Sequence, residues 1–260
     1  MITLTTDFGS ADHFVGSMKG VILGIAPRAR IVDISHEIAP FQLNEAAFVI
    51  AQAWRYFPKR TIHVVVVDPG VGSARRAILV EAGGHYFIAP DNGVLSMIYD
   101  AAPHQVRAIT NPKVINKKVS RTFHGRDVFA PAAAHLAHGV PAAKLGEPIE
   151  DYLRSPSLTP LQRTDHSWSG TILKVDRFGN LITNLHIDKF ADVRSRPIEM
   201  RVGEQYVRRF ALTYSETAIG DVFAIVGSSG YVEVAANQAS AAKILDCVAG
   251  APVELEIFYD

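Results

Sequence analysis

A run of four valines at residues 64–67, which ends directly at Asp68, is the feature that most constrains the fold of this chain. β-Branched residues in so short a run favour a strand over a helix, and an uninterrupted apolar strand is typical of one buried on both faces of a parallel sheet. Gly70 and Gly72 follow, and both permit backbone angles closed to other residues. Because ligands bind at the carboxyl ends of strands in open α/β sheets, this stretch predicts a carboxylate at a ligand-binding edge.

Two interpretations of Asp68 follow from this stretch alone. Arg75 comes seven residues later, so a tight loop can bring its side chain back over the carboxylate at a functional site. Alternatively, Asp68 is structural and closes its own turn by accepting hydrogen bonds from nearby backbone amides. The residues of the loop are compatible with both.

Strand-like and helix-like patterns alternate over the first part of the chain. The predicted strands are residues 2–6, 30–34, 64–67, 77–82, 86–89 and 106–109, and the predicted helices are residues 14–25, 43–56, a short segment ending at 99, and 128–138. This alternation predicts an α/β N-terminal domain, residues 1–160, with a largely parallel sheet and helices on its faces.

A stretch rich in Pro and Ser, residues 147–160, predicts a linker, with the domain boundary near residues 155–168. Beyond it the helical periodicity largely stops, and short strand-like runs recur between turn residues. The predicted strands are residues 170–175, 181–185, 199–202, 205–212, 222–226, 231–234 and 253–258. This pattern predicts a smaller all-β, barrel-like C-terminal domain, residues 168–260.

Composition excludes several classes of function. The chain has 26 Lys plus Arg and 26 Asp plus Glu, so its zero formal net charge provides no general field that would attract nucleic acid or a membrane surface. Its single cysteine, Cys247, excludes an internal disulfide and any multi-cysteine metal site. His135 and His138 are better explained as surface or helix-end residues than as metal ligands, so no metal site is predicted. The N-terminus lacks the basic region of a signal peptide and no apolar run reaches membrane-spanning length, which predicts a cytoplasmic protein.

Six short motifs, taken together and in order, make the chain recognisable. They are T-D-F-G from residue 6, V-D-P-G-V-G from residue 67, A-P-D-N-G from residue 89, T-F-H-G-R-D from residue 122, D-R-F-G-N-L-I-T-N from residue 176 and G-S-S-G-Y-V-E-V-A from residue 227. With these motifs the chain resembles the SAM hydroxide adenosyltransferase family, the S-adenosyl-L-methionine (SAM) hydrolases, which are related to enzymes that attack SAM with a halide. The resemblance spans nearly the whole chain. It implies an N-terminal α/β domain, a C-terminal β-barrel domain and a homotrimer with ligand sites between subunits.

The resemblance also implies a role for particular residues. The family's water-activating triad corresponds to Asp68, Arg75 and His124. The implied substrate contacts are Asp7 on the ribose hydroxyls, Phe178 and Tyr214 stacked on adenine, Asn180 hydrogen-bonded to adenine, and Asp12, Asp176 and Ser228 at the methionine end. Glu233 lies in a matching segment without a fixed role, and Ser229 stands where the halogenating relatives carry an arginine for the methionine carboxylate. No cofactor is implied, since SAM is the substrate.

The chemistry of a sulfonium agrees with this assignment. Neutral methionine leaves without needing a proton, so the reaction needs no general acid, metal or cofactor. It needs a water placed in line with the ribose 5′ carbon and a group that takes or polarises its proton. The predicted function is therefore hydrolysis of SAM to adenosine and L-methionine. Sequence does not decide whether His124 accepts the proton or orients the water.

Two other functions are weighed against this one. The first is a SAM-dependent halogenase, but the resemblance implies a tyrosine or similar residue in place of Asp68 and a serine in place of Gly125 for that branch. The halogenating relatives also carry an insertion downstream of the arginine, where this chain has only a compact hairpin. The second is a non-catalytic protein that binds adenosine or SAM, which would need no water-activating triad.

Local structural roles are the alternatives for individual residues. Asp7 and Asp12 could be helix N-caps. Phe178 and Tyr214 could be core or interface aromatics, and His124 could be a buried histidine whose hydrogen bonds are satisfied.

Overall fold

The structure, a computed structural model, describes residues 1–259, apart from the side chains of residues 157, 191 and 192. Contacts divide the chain into two compact parts, Met1–Ser155, here named the α/β unit, and the part from Pro156 onward, here named the β unit. Of the helices in the described residues, none is both long enough and apolar enough to cross a membrane.

The α/β unit alternates strands and helices as the sequence predicts. Its elements are β1 (Ile2–Thr6), α1 (Phe14–Ile25), β2 (Ile31–Ser35), α2 (Leu43–Ala53), β3 (Ile62–Val66), β4 (Ala77–Ala82), β5 (His85–Pro90), α3 (Ser96–Ala101), β6 (His104–Ala108) and α4 (Ala130–Ala137). The sheet order is β2-β1-β3-β5-β4-β6. The pairs β1–β2, β1–β3 and β3–β5 are parallel, and β4 runs antiparallel to both of its neighbours. The predicted largely parallel sheet is confirmed.

The valine run lies at the centre of this sheet and is buried on both faces. Val64 and Val66 pack into an apolar cluster with α1 and α4, whereas Val65 and Val67 pack into a second cluster with α2 and α3. All four side chains are at most 2% exposed. Full burial of one valine contributes roughly 1.5–3 kcal/mol, so the strand is held firmly from both sides. Asp68 therefore begins its loop from one of the most rigid points of the unit.

The paired strands of the β unit all run antiparallel to their neighbours within the described residues. Its elements are β7 (Leu161–Thr164), β8 (Ser167–Val175), β9 (Leu181–His186), β10 (Ile198–Val202), β11 (Gln205–Val207), β12 (Val222–Val226), β13 (Tyr231–Ala236), α5 (Ala241–Ile244) and β14 (Pro252–Ile257). The order is β11-β10-β14-β8-β9-β13-β12, with β7 paired to β8. Beyond β11, Phe210 bridges Ala224 of β12, and the Ala211 amide donates to the Ala224 carbonyl at 2.9 Å. The sheet thus nearly closes into the predicted barrel.

Several element boundaries differ from the prediction. The predicted strand at residues 205–212 ends at Val207, because the chain leaves β10 there and crosses to β12. The predicted helix at residues 43–56 ends at Ala53 and continues as a 3₁₀ turn, Trp54–Tyr56. The short elements β7 and α5 were not predicted. β7 forms a short hairpin with β8, and α5 is a four-residue helix capped by the Ser240 side chain, so both are too short to show a periodic pattern.

Candidate functional site

A cavity of about 270 Å³ opens at the carboxyl ends of β1 and β3 in the α/β unit. It brings together three of the predicted site residues, Asp7, Asp68 and His124. The rest of its lining is mostly apolar and consists of Phe8, Phe14, Pro40, Phe41, Val66, Val71, Thr122, Phe123 and Gly125. The cavity therefore combines carboxylates and an imidazole with walls that hold little water.

Asp68 and Arg75 form a close ion pair at this cavity. Arg75 Nε lies 3.0 Å from each carboxylate oxygen of Asp68, and Arg75 Nη2 also donates to Oδ2. The two side chains are only 5% and 10% exposed. The prediction that Arg75 folds back over Asp68 is confirmed. The carboxylate is held by a side chain from the far end of its loop, in a fork-like geometry that fixes its orientation.

Gly72 lets this loop approach the segment that carries His124. Its φ is +78°, and a Cβ added there would lie 2.4 Å from the backbone oxygen of Arg121. Any larger residue would push the loop away from Arg121. Gly72 thus uses the conformational freedom of glycine, whereas the φ of Gly70 lies outside the left-handed region. The backbone at Gly70 instead forms an ordinary turn, with its carbonyl accepting from the Ser73 amide at 3.1 Å.

His124 completes a chain of contacts from Asp68 through Arg75. Its Nδ1 lies 2.7 Å from Arg75 Nη2. A guanidinium only donates, so Nδ1 accepts and the proton of the neutral ring is on Nε2. Burial lowers the pKa of His124, and the charge of Arg75 lowers it further, whereas the charges of Asp68 and Asp127 and a hydrogen bond to the Ser120 backbone raise it by smaller amounts. His124 is thus half-buried at the cavity, neutral at neutral pH, and able to donate a hydrogen bond from Nε2.

Asp127 holds the chain segment that precedes His124, although the sequence indicated no role for it. It is 1% exposed and lies in a π-helical turn, Gly125–Phe129, that starts directly after His124. Its carboxylate accepts from the Ser120 amide and Asn116 Nδ2, both at 2.9 Å, and from Arg126 Nε at 2.8 Å. The hydrogen bond from Arg126 is the main reason that the pKa of Asp127 falls to about 2. A single π-helical turn leaves no recognisable pattern in a sequence.

Asp7 follows β1 and lies half-buried at the same cavity. Its Oδ2 accepts from the Phe41 amide at 2.9 Å. Burial raises the pKa of Asp7, the Phe41 hydrogen bond lowers it, and the charge of Asp68 adds to the increase. Helix α1 has His13 as its N-cap, so the N-cap interpretations of Asp7 and Asp12 are wrong. Asp12 is exposed and lies outside the cavity lining.

A second cavity, of about 630 Å³, lies in the β unit and is lined by three more of the predicted residues. Asn180 Nδ2 donates to Asp176 Oδ2 at 2.9 Å and to the Tyr214 hydroxyl at 3.0 Å. Both amide hydrogens are thereby used, so Oδ1 is the atom that Asn180 can offer a ligand. The lining comprises Phe178, Asn180, Tyr214, Ala236, Gln238, Ala239 and Ser240.

Asp176 holds the turn on which Phe178 and Asn180 sit. Its Oδ1 accepts from the amides of Phe178 and Asn180 at 2.8 and 2.9 Å. Gly179 has a φ of +87°, and a Cβ there would lie 2.1 Å from Ser240 Oγ. Asp176 is thus committed to hydrogen bonds inside the turn and lies outside the cavity lining.

The aromatic side chains at this cavity are exposed. Phe178 is 76% exposed, so its interpretation as a core residue is wrong, and Tyr214 is 41% exposed. The Tyr214 ring packs edge-on against Phe223, with centroids 5.5 Å apart. An aromatic face next to a free amide oxygen is suited to a planar heterocycle with an amino group.

Ser228 and Glu233 lie outside the lining of this second cavity. Ser228 is exposed in the turn between β12 and β13. Glu233, on β13, is 8% exposed and packs against Gly227, where a Cβ would lie 1.7 Å from Glu233 Oε1. Burial, followed by the charge of Asp176, raises the pKa of Glu233 to about 7. Within residues 1–259 no three His, Cys, Asp or Glu side chains gather in a way that could hold a metal ion.

An Asp–Arg–His cluster at the edge of a parallel sheet, joined in one chain to a barrel with an aromatic and amide pocket, defines a class of two-part proteins with small-molecule sites. Sequence models of the SAM hydroxide adenosyltransferase N-terminal domain and C-terminal domain match residues 2–146 and 170–254. The chain belongs to the SAM hydroxide adenosyltransferase family, and the resemblance seen in its motifs is confirmed.

Relatives with assigned names cover nearly the whole chain. A protein of Salinispora arenicola named (R)-S-adenosyl-L-methionine hydrolase is 39% identical over 252 residues, 96% of this chain and 95% of its own. A fluorinase of Nocardia brasiliensis is 28% identical over 290 residues, 99% of this chain and 97% of its own. The crystal structure of an uncharacterised conserved protein from Thermotoga maritima matches with a TM-score of 0.89 and 35% identity, over 98% of this chain and 99% of that one. The hydrolase-named relative is therefore more similar to this chain than the fluorinase is.

Proposed function

We propose that this protein hydrolyses SAM to adenosine and L-methionine by in-line attack of water on the ribose 5′ carbon. The observation that carries this function is the continuous Asp68–Arg75–His124 cluster at the α/β cavity. Support comes from near-full-length relatives named (R)-S-adenosyl-L-methionine hydrolase, which are 35–39% identical to this chain.

The cluster divides the work on the water between two groups. His124 Nδ1 accepts from Arg75, so its Nε2–H donates to the water oxygen and orients a lone pair. Asp68, aligned by Arg75, accepts the water proton. The oxygen forms a bond to the 5′ carbon as the carbon–sulfur bond breaks, and the electron pair of that bond leaves on sulfur as methionine. The proton then passes from Asp68 to solvent.

Two physical effects make this reaction faster than in water. A hydroxide-like oxygen and a sulfonium lose their opposite charges as they react, which a dry and mostly apolar cavity favours. Holding both reactants in line can supply up to roughly 7–11 kcal/mol. No cofactor enters this scheme, because the positive sulfur already activates the leaving group.

The same cavity disfavours a halide nucleophile. Asp7 and Asp68 both line it, and carboxylate charge repels an entering anion but not a neutral water, although Arg75 offsets part of the charge of Asp68. The fluorinase relative keeps halide attack as the second candidate function to be tested.

The binding roles follow the family resemblance. Asp7 grips the ribose hydroxyls, Asn180 Oδ1 accepts from the adenine amino group, and Phe178 and Tyr214 stack on the base. We further propose that Asp12, Asp176 and Ser228 act at the methionine end. Glu233 receives no role in binding.

We also propose that the active form is a cytoplasmic homotrimer whose sites lie between subunits. The proposal is supported by the division of labour between two cavities, since the α/β cavity carries the reacting groups and the β cavity carries the base-binding groups. Refolding a mixture of inactive Asp68→Ala and Asn180→Ala subunits should then restore activity, because mixed trimers contain sites built from two intact halves. No recovery despite proven mixing, or a fully active monomer, would contradict this assembly.

The defining experiment is incubation of the purified protein with each sulfonium epimer of SAM, followed by chromatography of the products. The relatives named for the (R) epimer support that epimer as the better substrate. Adenosine and methionine are the expected products. A 5′-halogenated adenosine formed in chloride or fluoride would support the halogenase, and binding without turnover would support the non-catalytic alternative.

A further inference from the structure

The motif A-P-D-N-G at residues 89–93 has no part in the reaction described above. Its Asp91 and Asn92 follow β5, the strand next to β3. Asp91 is 3% exposed, and both residues lie outside the cavity lining. A buried carboxylate needs strong partners, so its hydrogen bonds indicate what it holds in place.

Asp91 grips the chain immediately after the loop that carries the catalytic pair. Arg76, which follows Arg75, donates from Nε and Nη2 to Asp91 Oδ2 at 3.0 and 2.7 Å. The Asp91 amide also donates to the Arg76 carbonyl at 2.9 Å. The downstream end of the loop is therefore tied to the end of β5 by backbone and side chain together.

Asn92 grips the chain immediately before the same loop. Its Nδ2 donates to the carbonyl of Val67, the residue before Asp68, at 2.9 Å. Its Oδ1 accepts from the Val94 amide at 3.2 Å, which fixes the side chain in the orientation that reaches Val67. Adjacent residues of one motif thus hold both ends of the Asp68–Arg75 loop.

Asp91 and Asn92, here named the clamp, are themselves anchored to a third segment of the chain. Asp91 Oδ1 accepts from the Leu153 amide at 2.8 Å. Arg76 also donates from Nη1 to Asp151 Oδ1 at 2.7 Å and from Nη2 to the Asp151 carbonyl at 2.8 Å. The tip of the loop, residues 71–74, is exposed, and its own bonds only close small turns. Apart from the close approach of Gly72 to the Arg121 backbone, the position of the loop is therefore set at its two ends.

We propose that Asp91 and Asn92 are positioning residues for the hydrolysis, holding the two ends of the Asp68–Arg75 loop and so placing this pair against His124. The proposal rests on the proposed function. A misplacement of about 1 Å can cost about a hundredfold in rate, so small slack at the loop ends is sufficient to matter.

Near-isosteric substitutions test the two grips separately. Asp91→Asn weakens the acceptor for Arg76, and Asn92→Asp keeps the acceptor for Val94 while replacing the donor to Val67 with an oxygen. Each should lower kcat for adenosine release roughly ten- to a hundredfold, with KM changed much less, because no substrate contact is removed. Arg76→Met offers a third variant on a side chain that is 33% exposed, should a variant at Asp91 or Asn92 fail to fold.

The chain offers matched controls for both substitutions. Asn111 has the same bonding pattern as Asn92, donating from Nδ2 to the Lys144 carbonyl at 2.6 Å and accepting from the Lys113 amide at 2.9 Å, away from the cavity. Asp221 of the β unit, like Asp91, accepts from an arginine and a backbone amide, Arg209 Nη1 at 3.1 Å and the Ala218 amide at 3.2 Å, and it takes no part in the Asp68–Arg75 loop. Asn111→Asp and Asp221→Asn should both keep kcat within about twofold of the wild type.

A double-substitution cycle separates positioning from general stability. In an Arg75→Ala background there is no guanidinium bridge to place, so Asp91→Asn and Asn92→Asp should lower the residual kcat by less than about threefold. The proposal would be overturned if Asp91→Asn and Asn92→Asp lowered kcat by the same factor in the Arg75→Ala background as in the wild type. It would also be overturned if their kcat values in the wild-type background matched those of the two controls. A wild-type protein that releases no adenosine from SAM would instead sink the proposed function, and the two failures are thereby distinguished.

Discussion

The two units hold their candidate site residues in opposite ways. In the α/β unit, Asp68 and Arg75 are almost completely covered and bound to each other at the end of a strand buried on both faces. In the β unit, Phe178 is 76% exposed on a turn, while Asn180 on the same turn is fixed by hydrogen bonds to Asp176 and Tyr214. Charged groups that act on a water need a pre-set geometry, whereas a stacking surface needs access. This difference supports the proposal that one unit carries the chemistry and the other recognises the base.

The units also differ in the buried groups that titrate. In the α/β unit, His63 Nδ1 meets Thr3 Oγ1 at 2.8 Å and its Nε2 lies 3.2 Å from His85 Nδ1. Burial, followed by the charge of His85, lowers the pKa of His63 to about 3. In the β unit, Glu233 has a pKa raised to about 7. One unit thus contains a buried base that resists protonation, and the other a buried acid that resists ionisation.

Substitution in the cluster should give the largest effect and should separate the two units most clearly. Asp68→Ala, Arg75→Ala and His124→Ala should each lower turnover by about 10²–10⁴-fold, since each removes part of one water-activating unit. Adenosine affinity, measured by calorimetry, should change little, because the β cavity is intact. Variants in which two of these three residues are replaced should have turnover only slightly lower than the single variants.

The matched control for the cluster is Asp100→Ala, which breaks an exposed ion pair with Arg154 at 2.8 Å. It should leave turnover near that of the wild type. Near-native turnover in Asp68→Ala would contradict the assignment of chemistry to the α/β unit.

The stabilities of the two units should respond to pH in opposite directions because of His63 and Glu233. The folded-state pKa of His63 is depressed, so its contribution to stability is present above the unfolded value of 6.5 and is lost as pH falls toward 3. The folded-state pKa of Glu233 is raised, so its contribution is present below the unfolded value of 4.5 and is lost as pH rises through 7. At about 1.4 kcal/mol per pKa unit, the upper bounds on these contributions are about 5 kcal/mol for His63 and about 3.5 kcal/mol for Glu233, and solvent access to the carboxyl reduces the second.

Hydrogen exchange resolved by segment measures this difference on the intact chain. From about pH 7 to about pH 4, after correction for intrinsic exchange, protection should fall in β3 and β5 and rise in β9 and β13. His63→Gln should flatten the first trend and Glu233→Gln the second. Parallel trends in both units would show that neither group sets the local stability.

A smaller effect is expected at the stacking surface. Phe178→Ala should raise KM by about tenfold while kcat at saturation stays close to that of the wild type, since a lost aromatic stack costs about 1–3 kcal/mol. Tyr206→Ala removes an aromatic side chain that is 52% exposed elsewhere in the β unit and serves as the control. A loss confined to kcat would contradict the division between recognition and chemistry.

The smallest expected effect concerns the protonation of His124. Its pKa is lowered by burial and by Arg75, so the acid limb of kcat/KM should lie below pH 6.5. Arg75→Met removes a lowering cause and leaves the raising charges of Asp68 and Asp127, so the pKa of His124 should increase. An NMR titration of His124 in the wild type and in Arg75→Met measures this change in pKa. An unchanged or lower pKa in the variant would contradict the contact between Arg75 and His124.

Sequence reasoning succeeded where the signal is local. The valine run predicts a strand with two buried faces, and seven residues of Gly-containing loop are short enough to bring Arg75 onto Asp68. In the β cavity, Phe178 and Asn180 belong to a quoted motif and Tyr214 was assigned through the family resemblance, although the exposure of these side chains was not predictable from pattern.

The remaining features depend on contacts between residues far apart in the chain. The hydrogen bond from the Phe41 amide to Asp7 joins residues 34 positions apart, and that from Asn92 to the Val67 carbonyl joins residues 25 positions apart. Neither hydrogen bond leaves a periodic signal in the sequence. Asp127 was quoted in a motif, but its role depends on a π-helical turn and on a loop that folds around it. Such partners are chosen by the packed fold, so a single sequence can name the residue types but not their pairing.

The central claim is that water attacks the ribose 5′ carbon at the Asp68–Arg75–His124 cluster, and the fate of the water oxygen tests it most directly. The wild-type protein is incubated with SAM in water enriched in heavy oxygen, and the products are analysed by mass spectrometry. The label should appear in the 5′-hydroxyl of adenosine and be absent from methionine. Label in homoserine, release of free adenine, or unlabelled adenosine would contradict this account of the reaction.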